Sequence, residues 1–311
     1  MPPREIIDGA MTTRRAARWR GALLAAPGVL ALLALVVAPL LVLVAHAFAG
    51  RDDYGAIQWT VTAEPLLTAL GRDQLGALTP DPSDDWSADH LRILGSSLAV
   101  AAITTVCCLA LGFPLALWIA RRPRRRQPLW LALVLIPSLV NLVIRVAGWN
   151  LLLGPEQAPA EALRALGLLE EHGRLVPSQG AVLLAMVSCM LPFTVLPLYA
   201  ALERLDWSLV EAARDCYAGW WRTVRHGILS QAGGGIAAAV VLTFVPTLGM
   251  VLVTDRLGGA KTEMIGNLIA RQFKAVDFPL GAALSLVLIV ATLAGLAVVA
   301  RIMRREQGGP R

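Results

Sequence analysis

From Gly21 to Phe48 the chain runs without one Asp, Glu, Lys or Arg. A helix needs about 20 mostly apolar residues to cross the hydrocarbon core of a bilayer. Within lipid each backbone N–H and C=O must be satisfied internally, so a run of this kind has a helix as its way across. Five more apolar blocks follow, near Ile93–Ala120, Leu129–Leu153, Ala181–Ala201, Gly234–Thr254 and Leu280–Ala300. Each approaches or exceeds the spanning length, which predicts an all-α membrane protein of six transmembrane helices. The composition agrees, with 56% hydrophobic residues, 16% charged residues and a mean hydropathy of +0.62. Soluble domains carry about a quarter charged residues. Pro114, Pro137, Pro192, Pro197 and Pro246 fall inside these blocks. Membrane helices tolerate such prolines where neighbouring helices or water satisfy the freed carbonyls.

The first block is longer than the apolar core of a secretory signal, about 7–15 residues, and so reads as a retained span. Ala47-Phe48-Ala49 resembles a cleavage tripeptide and Arg14-Arg15 a twin-arginine export signal, but both are the weaker reading. A hydrophilic segment, 49–91, follows with Pro80, Pro82, Asp81, Asp84, Asp85 and Asp89.

Arginine and lysine placement sets orientation. Segments 1–20, 121–126, 202–230 and 301–311 hold 18 of the 28 basic residues, and the alternate segments 49–91, 154–178 and 255–278 hold 8. Both termini and the 202–230 stretch are therefore expected in the cytoplasm, with RRPRRR at Arg121–Arg126 the strongest anchor. The opposite face holds 15 of the 22 acidic residues. Two readings stay open for it: a by-product of topology, or an acidic mouth that concentrates cations.

The net charge of +6 comes from arginines beside apolar blocks, not from an aromatic-interleaved basic face, so no nucleic-acid partner is expected. Cys107, Cys108, Cys189 and Cys216 lie in spans or on the inner side, with no metal-ligand spacing and no disulfide expected. The four histidines are scattered, no Gly-x-Ser-x-Gly elbow stands out, and the chain is not read as an enzyme. Gly258-Gly259-Ala260-Lys261-Thr262 departs from a phosphate loop in residue and spacing. No cofactor is expected in this chain, and any ATP-driven step must use ATP bound by a partner subunit.

Three constellations are candidate sites. Arg145 is the formal charge placed well inside a predicted span, with Asn141 one turn before it on the same face. Arg145 either faces a cavity or partner, or snorkels to the interface. In the second, Pro246 and Gly249 loosen a helix, and Gly258-Gly259 makes a turn before an amphipathic piece. In the third, Ser208 and Glu211 have the spacing of a capping box, which starts a short helix running to about Tyr217. A break at Ala218-Gly219 follows, where glycine is free to take φ > 0. A second helical piece then carries Trp220, Trp221, Val224 and Ile228 on one face. Two short helices at an angle make a rigid knob for another protein.

This third stretch resembles the EAA loop of ABC-importer permeases, EAA-xxx-G, an apolar position, then I-x-L-P. Glu211-Ala212-Ala213, Ile228 and Leu229 match, while Tyr217 and Ser230 stand where that family has Gly and Pro. The resemblance implies that Ser208, Glu211, Ala212, Ala213, Tyr217, Gly219, Ile228 and Leu229 form a coupling helix that docks in a cytoplasmic ATPase. The Pro246-x-x-Gly249 pair, the Asp255-x-x-Gly-Gly-Ala-Lys run and IPSLVNLVIRVAGW resemble spermidine/putrescine-type permeases of the binding-protein-dependent transport family. The likeness covers about residues 90–300.

What it implies is an ABC-importer permease of MetI-like architecture, with termini inside, forming half of a pore in a bacterial inner membrane. Partners would be a second permease subunit, cytoplasmic ATP-binding subunits, a periplasmic solute-binding protein and membrane lipid. Polyamines are the implied solute. Pathway candidates are Asn141, Arg145, Trp149, Pro246, Gly249, Asp255, Glu263 and Asp277, the three carboxylates suiting a cation near the outer mouth. Alternatives are a permease for an opine or amino acid, and an ion-coupled secondary transporter, which would favour mid-span carboxylates. The expected organisation is a tail at 1–20, a first helix and acidic periplasmic loop at 21–90, a core at 91–302 with its loop at 202–230, and a tail at 303–311.

Overall fold

The computed structural model describes residues 4–51, 57–70, 86–167, 170, 173–208, 210–211, 219, 222–259 and 262–307. Helix α1 (Arg4–Ala47) leads into a hairpin, β1 (Ala49–Arg51) and β2 (Ile57–Val61), and a short α2 (Glu64–Ala69). Then come α3 (Trp86–Ala120), α4 (Gln127–Leu139), α5 (Leu142–Leu152), α6 (Ala158–Ala165) and α7 (Gln179–Glu203). A π-helical segment, Thr223–Leu229, runs into α8 (Ser230–Leu248). The chain closes with α9 (Val251–Leu257), α10 (Ile265–Lys274) and α11 (Phe278–Gln307).

Among the described residues, five helical stretches are long and apolar enough to cross a membrane: Ala26–Ala47, His90–Ala120, Gln179–Glu203, Gly227–Leu248 and Phe278–Ala297. Helices α4 and α5 make a sixth span if taken together, but they bend by 86° at Val140-Asn141. The expected Leu129–Leu153 span is therefore broken. Val140 is extended at φ −75°, ψ 135°, and Asn141 at φ −53°, ψ 137° starts a new helix by accepting from Val143 N at 2.8 Å. Asparagine at a helix N-cap satisfies an N–H that a new start leaves free, which stabilises the break.

The fifth block, expected to reach Thr254, likewise stops at Leu248. Gly249 N and Met250 N bond back to Pro246 O and Thr247 O, and α9 begins afresh at Val251. Pro246 and Gly249 thus end a helix, as their residue types predict. The hairpin adds a small antiparallel sheet within the hydrophilic segment, in register Ala49↔Val61 and Arg51↔Ile57. Its strand Ile57–Val61 is rich in the β-branched and aromatic types that suit a pleated surface.

Helix α7 is the centre of the bundle, packed along α3 on one side and α8 on the other. Small residues let these helices approach. A Cβ on Gly235 of α8 would collide with Ala201 Cβ and stand 2.8 Å from Pro197 O of α7. Thr194 and Thr243 share a buried hydrogen bond of 2.7 Å across the same interface. Each such bond contributes on the order of 1 kcal/mol in a membrane bundle. Cys107, Cys108 and Cys189 are free thiols, and Cys216 lies outside the described residues.

At one end of the bundle, Gly259 takes φ +64° and packs its bare Cα against Pro177, so the Gly258-Gly259 turn is a backbone requirement here. Ser178 N donates to Leu257 O at 3.0 Å, and Ser97 Oγ accepts from Ile265 N at 2.8 Å. These bonds fix α9 and the amphipathic α10 against α7 and α3.

Candidate functional site

Two groups of residues stand at opposite ends of α8. The first is the EAA-like stretch. Its helix starts at Trp207, two residues earlier than a Ser208 cap requires. Asp206 is the cap: its Oδ1 accepts from Ser208 N at 3.0 Å and from Ser208 Oγ at 2.7 Å. The Ser208–Glu211 capping box is therefore not the cap used. The Asp206 carboxylate offers a charged acceptor to a free N–H of the first turn, a stronger bond than a hydroxyl gives. Those bonds hold the Asp206 carboxyl below its ordinary pKa. Asp206 N in turn donates to Gln231 Oε1 at 3.2 Å, which ties the end of α7 to the start of α8.

Glu211 is exposed, Val210 is buried against Gly227, and Ile228 is fully buried while Leu229 is partly exposed. Ala212, Ala213 and Tyr217 lie outside the described residues. Gly219 does not use the freedom expected of it. Its φ is not left-handed, a Cβ there meets nothing within 4 Å, and its carbonyl accepts from Thr223 N at 3.1 Å. Nor is the second helical piece separate. Leu229 (φ −62°, ψ −37°) and Ser230 (φ −61°, ψ −37°) are both helical, so the segment from Thr223 flows into α8. Ser230, unlike a proline, keeps its N–H and imposes no ring on the preceding turn.

The second group surrounds the two broken helices. Arg145 Nη2 donates to Val140 O at 2.9 Å, back across the bend. Its Nε is sealed from solvent without a partner. Asn141 serves its own helix start and does not pair with Arg145 through its side chain. Trp149 Nε1 donates to Ser188 Oγ of α7 at 2.8 Å. The three carboxylates do not converge. Glu263 is paired with Arg271. Asp277 accepts from Leu280 N at 3.2 Å, at the start of α11. Asp255 is exposed on α9 and receives Asn267 Nδ2 of α10.

Asn267 is 9% exposed and links three groups. Its Oδ1 accepts from Thr254 Oγ1 at 2.7 Å, and its Nδ2 reaches Val251 O at 3.3 Å as well as Asp255. A buried amide of this kind fixes the carboxylate it touches. Beside α9 and α5 lies a cleft of about 590 Å³, mostly apolar, with Asn150, Glu156 and Arg256 among its lining. Asn150, Glu156, Arg256 and Asn267 carry no motif in the sequence. Asn267 stands 12 residues after Asp255, and the return of the chain through the Gly258-Gly259 turn brings them together.

The fold defined by these broken spans is shared with one chain of a bacterial alginate ABC transporter, solved in complex with an alginate pentasaccharide-bound periplasmic protein. The two superpose with a TM-score of 0.66 at 15% identity, over 95% of this chain and 98% of that one. At that identity the likeness is one of fold: the architecture is that of this ABC-transporter chain.

The chain belongs to the family described as binding-protein-dependent transport system inner membrane component, whose model matches residues 112–305. It is 34% identical over 256 residues to the spermidine/putrescine transport system permease protein PotB of Escherichia coli K12, covering 82% of this chain and 87% of that protein. Against PotB of Haemophilus influenzae it is 36% identical over 202 residues, 65% of this chain and 71% of that one. This is a multi-pass inner-membrane transport component and not an enzyme.

Proposed function

We propose that the chain forms half of the translocation path of an ATP-driven polyamine importer. The likeness to the spermidine/putrescine permeases supports the solute class. The one structural observation that favours a cation is Asp255, an exposed carboxylate oriented from behind by a buried amide while Glu263 is already paired. A carboxylate with one oxygen held and the other open suits an ammonium group of a polyamine.

In this reading both termini and the Asp206–Leu229 stretch face the cytoplasm. Cytoplasmic ATP-binding subunits carry the ATP and engage the stretch around exposed Glu211. A periplasmic solute-binding protein delivers the polyamine to the end that carries α9 and α10, and a second permease subunit completes the pore. Closure of the ATPases moves the loops and shifts a two-state equilibrium between inward- and outward-open forms.

The test is uptake of labelled spermidine into proteoliposomes that hold the assembled complex. Spermidine should stimulate ATP hydrolysis, and Asp255→Asn should lower uptake efficiency about tenfold, the equivalent of roughly 1.4 kcal/mol. A complex that assembles fully but responds to no polyamine would refute the solute class.

A further inference from the structure

The hairpin of α3 and α4 carries a feature that the proposed function does not call on. Between the end of α3 and the start of α4 lies a groove of about 430 Å³, lined by Leu115, Trp118, Ile119, Trp130, Leu133 and Val134. Its lining is almost wholly apolar. Trp118 and Trp130 meet edge to face at 4.8 Å, and both stand within a turn of their helix ends. Tryptophans in a membrane protein favour that level, where the headgroups begin.

The mouth of the groove is the loop Arg121–Arg126, with five arginines in six positions, all exposed. Arg122 stands over Trp118 with its guanidinium carbon 4.2 Å from the ring centroid, and Arg121 stands 5.1 Å over Trp207. Among the described residues none of the five pairs with a carboxylate. The loop is nonetheless fixed. Gln127, 6% exposed, donates from Nε2 to Ala120 O at 3.1 Å and Arg122 O at 2.9 Å. Its Oε1 accepts from the Tyr199 hydroxyl of α7 at 2.9 Å. Arg126 N closes a further turn on Pro123 O at 2.7 Å.

We propose that this groove is a binding site for an anionic phospholipid. An acyl chain lies along Leu115, Trp118 and Leu133, and the phosphate meets the guanidinium groups at the mouth. The charge decides the occupant. Guanidinium forks match phosphate oxygens bidentately, and basic clusters beside a membrane helix recognise anionic headgroups. A zwitterionic lipid or an apolar helix would fill the groove and leave the five charges unmatched. Because the buried Gln127 and Tyr199 hold the backbone of the loop, little order is lost on binding. The inference does not depend on which solute is carried.

Native mass spectrometry of the full chain tests it, with graded phosphatidylglycerol or phosphatidylethanolamine added in detergent. Phosphatidylglycerol should be retained at least tenfold more strongly. Each arginine at an anionic surface accounts for about fivefold, so R122Q/R125Q/R126Q together should weaken retention roughly 100-fold. Should that variant misfold, Leu133→Trp keeps every arginine and fills the groove from a position already 57% exposed. It too should expel the lipid. Equal retention of the two lipids, or phosphatidylglycerol binding untouched by Leu133→Trp, would overturn the site. So would a photo-crosslinker at Leu133 that captures a polypeptide instead of a lipid in native membranes.

Discussion

Replacing Arg145 by Met separates what its charge does from what its length does. The guanidinium reaches back over the 86° bend and donates to Val140 O at 2.9 Å. A hydrogen bond from a charged donor contributes about 1.5–3 kcal/mol. The same side chain carries a buried Nε without a partner, and an unsatisfied buried donor costs about 1–3 kcal/mol. The two terms offset in part, so Arg145→Met, which keeps the apolar stem, should lower stability by about 1–2 kcal/mol. Breaking a buried ion pair would cost about 3–5 kcal/mol. In thermal unfolding of the purified protein the loss corresponds to a Tm lower by on the order of 4 °C. Asn141→Ala removes the cap on the other side of the bend, and its effect should be coupled to that of Arg145→Met by more than about 0.5 kcal/mol. Two results would refute this account. An unchanged Tm would mean that the guanidinium snorkels and does not close the bend. Failure of Arg145→Met to accumulate at all would mean that the arginine answers a buried charge.

Gly235→Val should lower accumulation in the membrane by forcing α8 away from Ala201 and Pro197, an overpacking that typically costs about 1–3 kcal/mol. Gly234→Ala, where a Cβ meets nothing, should accumulate normally and serves as the control. For Asp206 the sign follows from its depressed pKa. The stabilisation is present above the ordinary carboxyl pKa near 4 and is lost as pH falls through the lower folded value. Amide exchange at Ser208 should therefore be protected at pH 6 and lose protection in acid, whereas Asp206→Asn should show no such acid step.

Much of this architecture is legible in the residues because lipid leaves few options. Six apolar blocks announce the five long apolar helices and the bent α4–α5 pair, and the positions of Pro246, Gly249, Gly258 and Gly259 announce where the chain turns. The bend at Val140-Asn141 is not legible in that way. IPSLVNLVIRV is continuously apolar apart from Ser138, Asn141 and Arg145, and none of these residue types by itself ends a membrane helix. Only the local bonds Asn141 and Arg145 make show that they support a break. The start of the EAA-like helix was ambiguous for another reason. Asp206 and Ser208 both carry oxygens able to cap a helix, and the charged one wins. The Asp255–Asn267 pair needs the return of α10 along α9, a tertiary event with no local signature.

The unbroken α-helix from Ser230 to Leu248 has a mechanical consequence. At about 1.5 Å per residue it is roughly 29 Å long, with the Asp206–Gln231 tie at one end and the Pro246–Gly249 break at the other. A chain that hinged at Ser230 would absorb a push on the near end within one turn. A stiff arm instead behaves as a seesaw about its packing against α7. A tilt of about 10° about its middle sweeps each tip by about 2.5 Å in opposite directions, given that length. Motion imposed beside Gln231 is therefore delivered, reversed, to the turn that leads into Asp255.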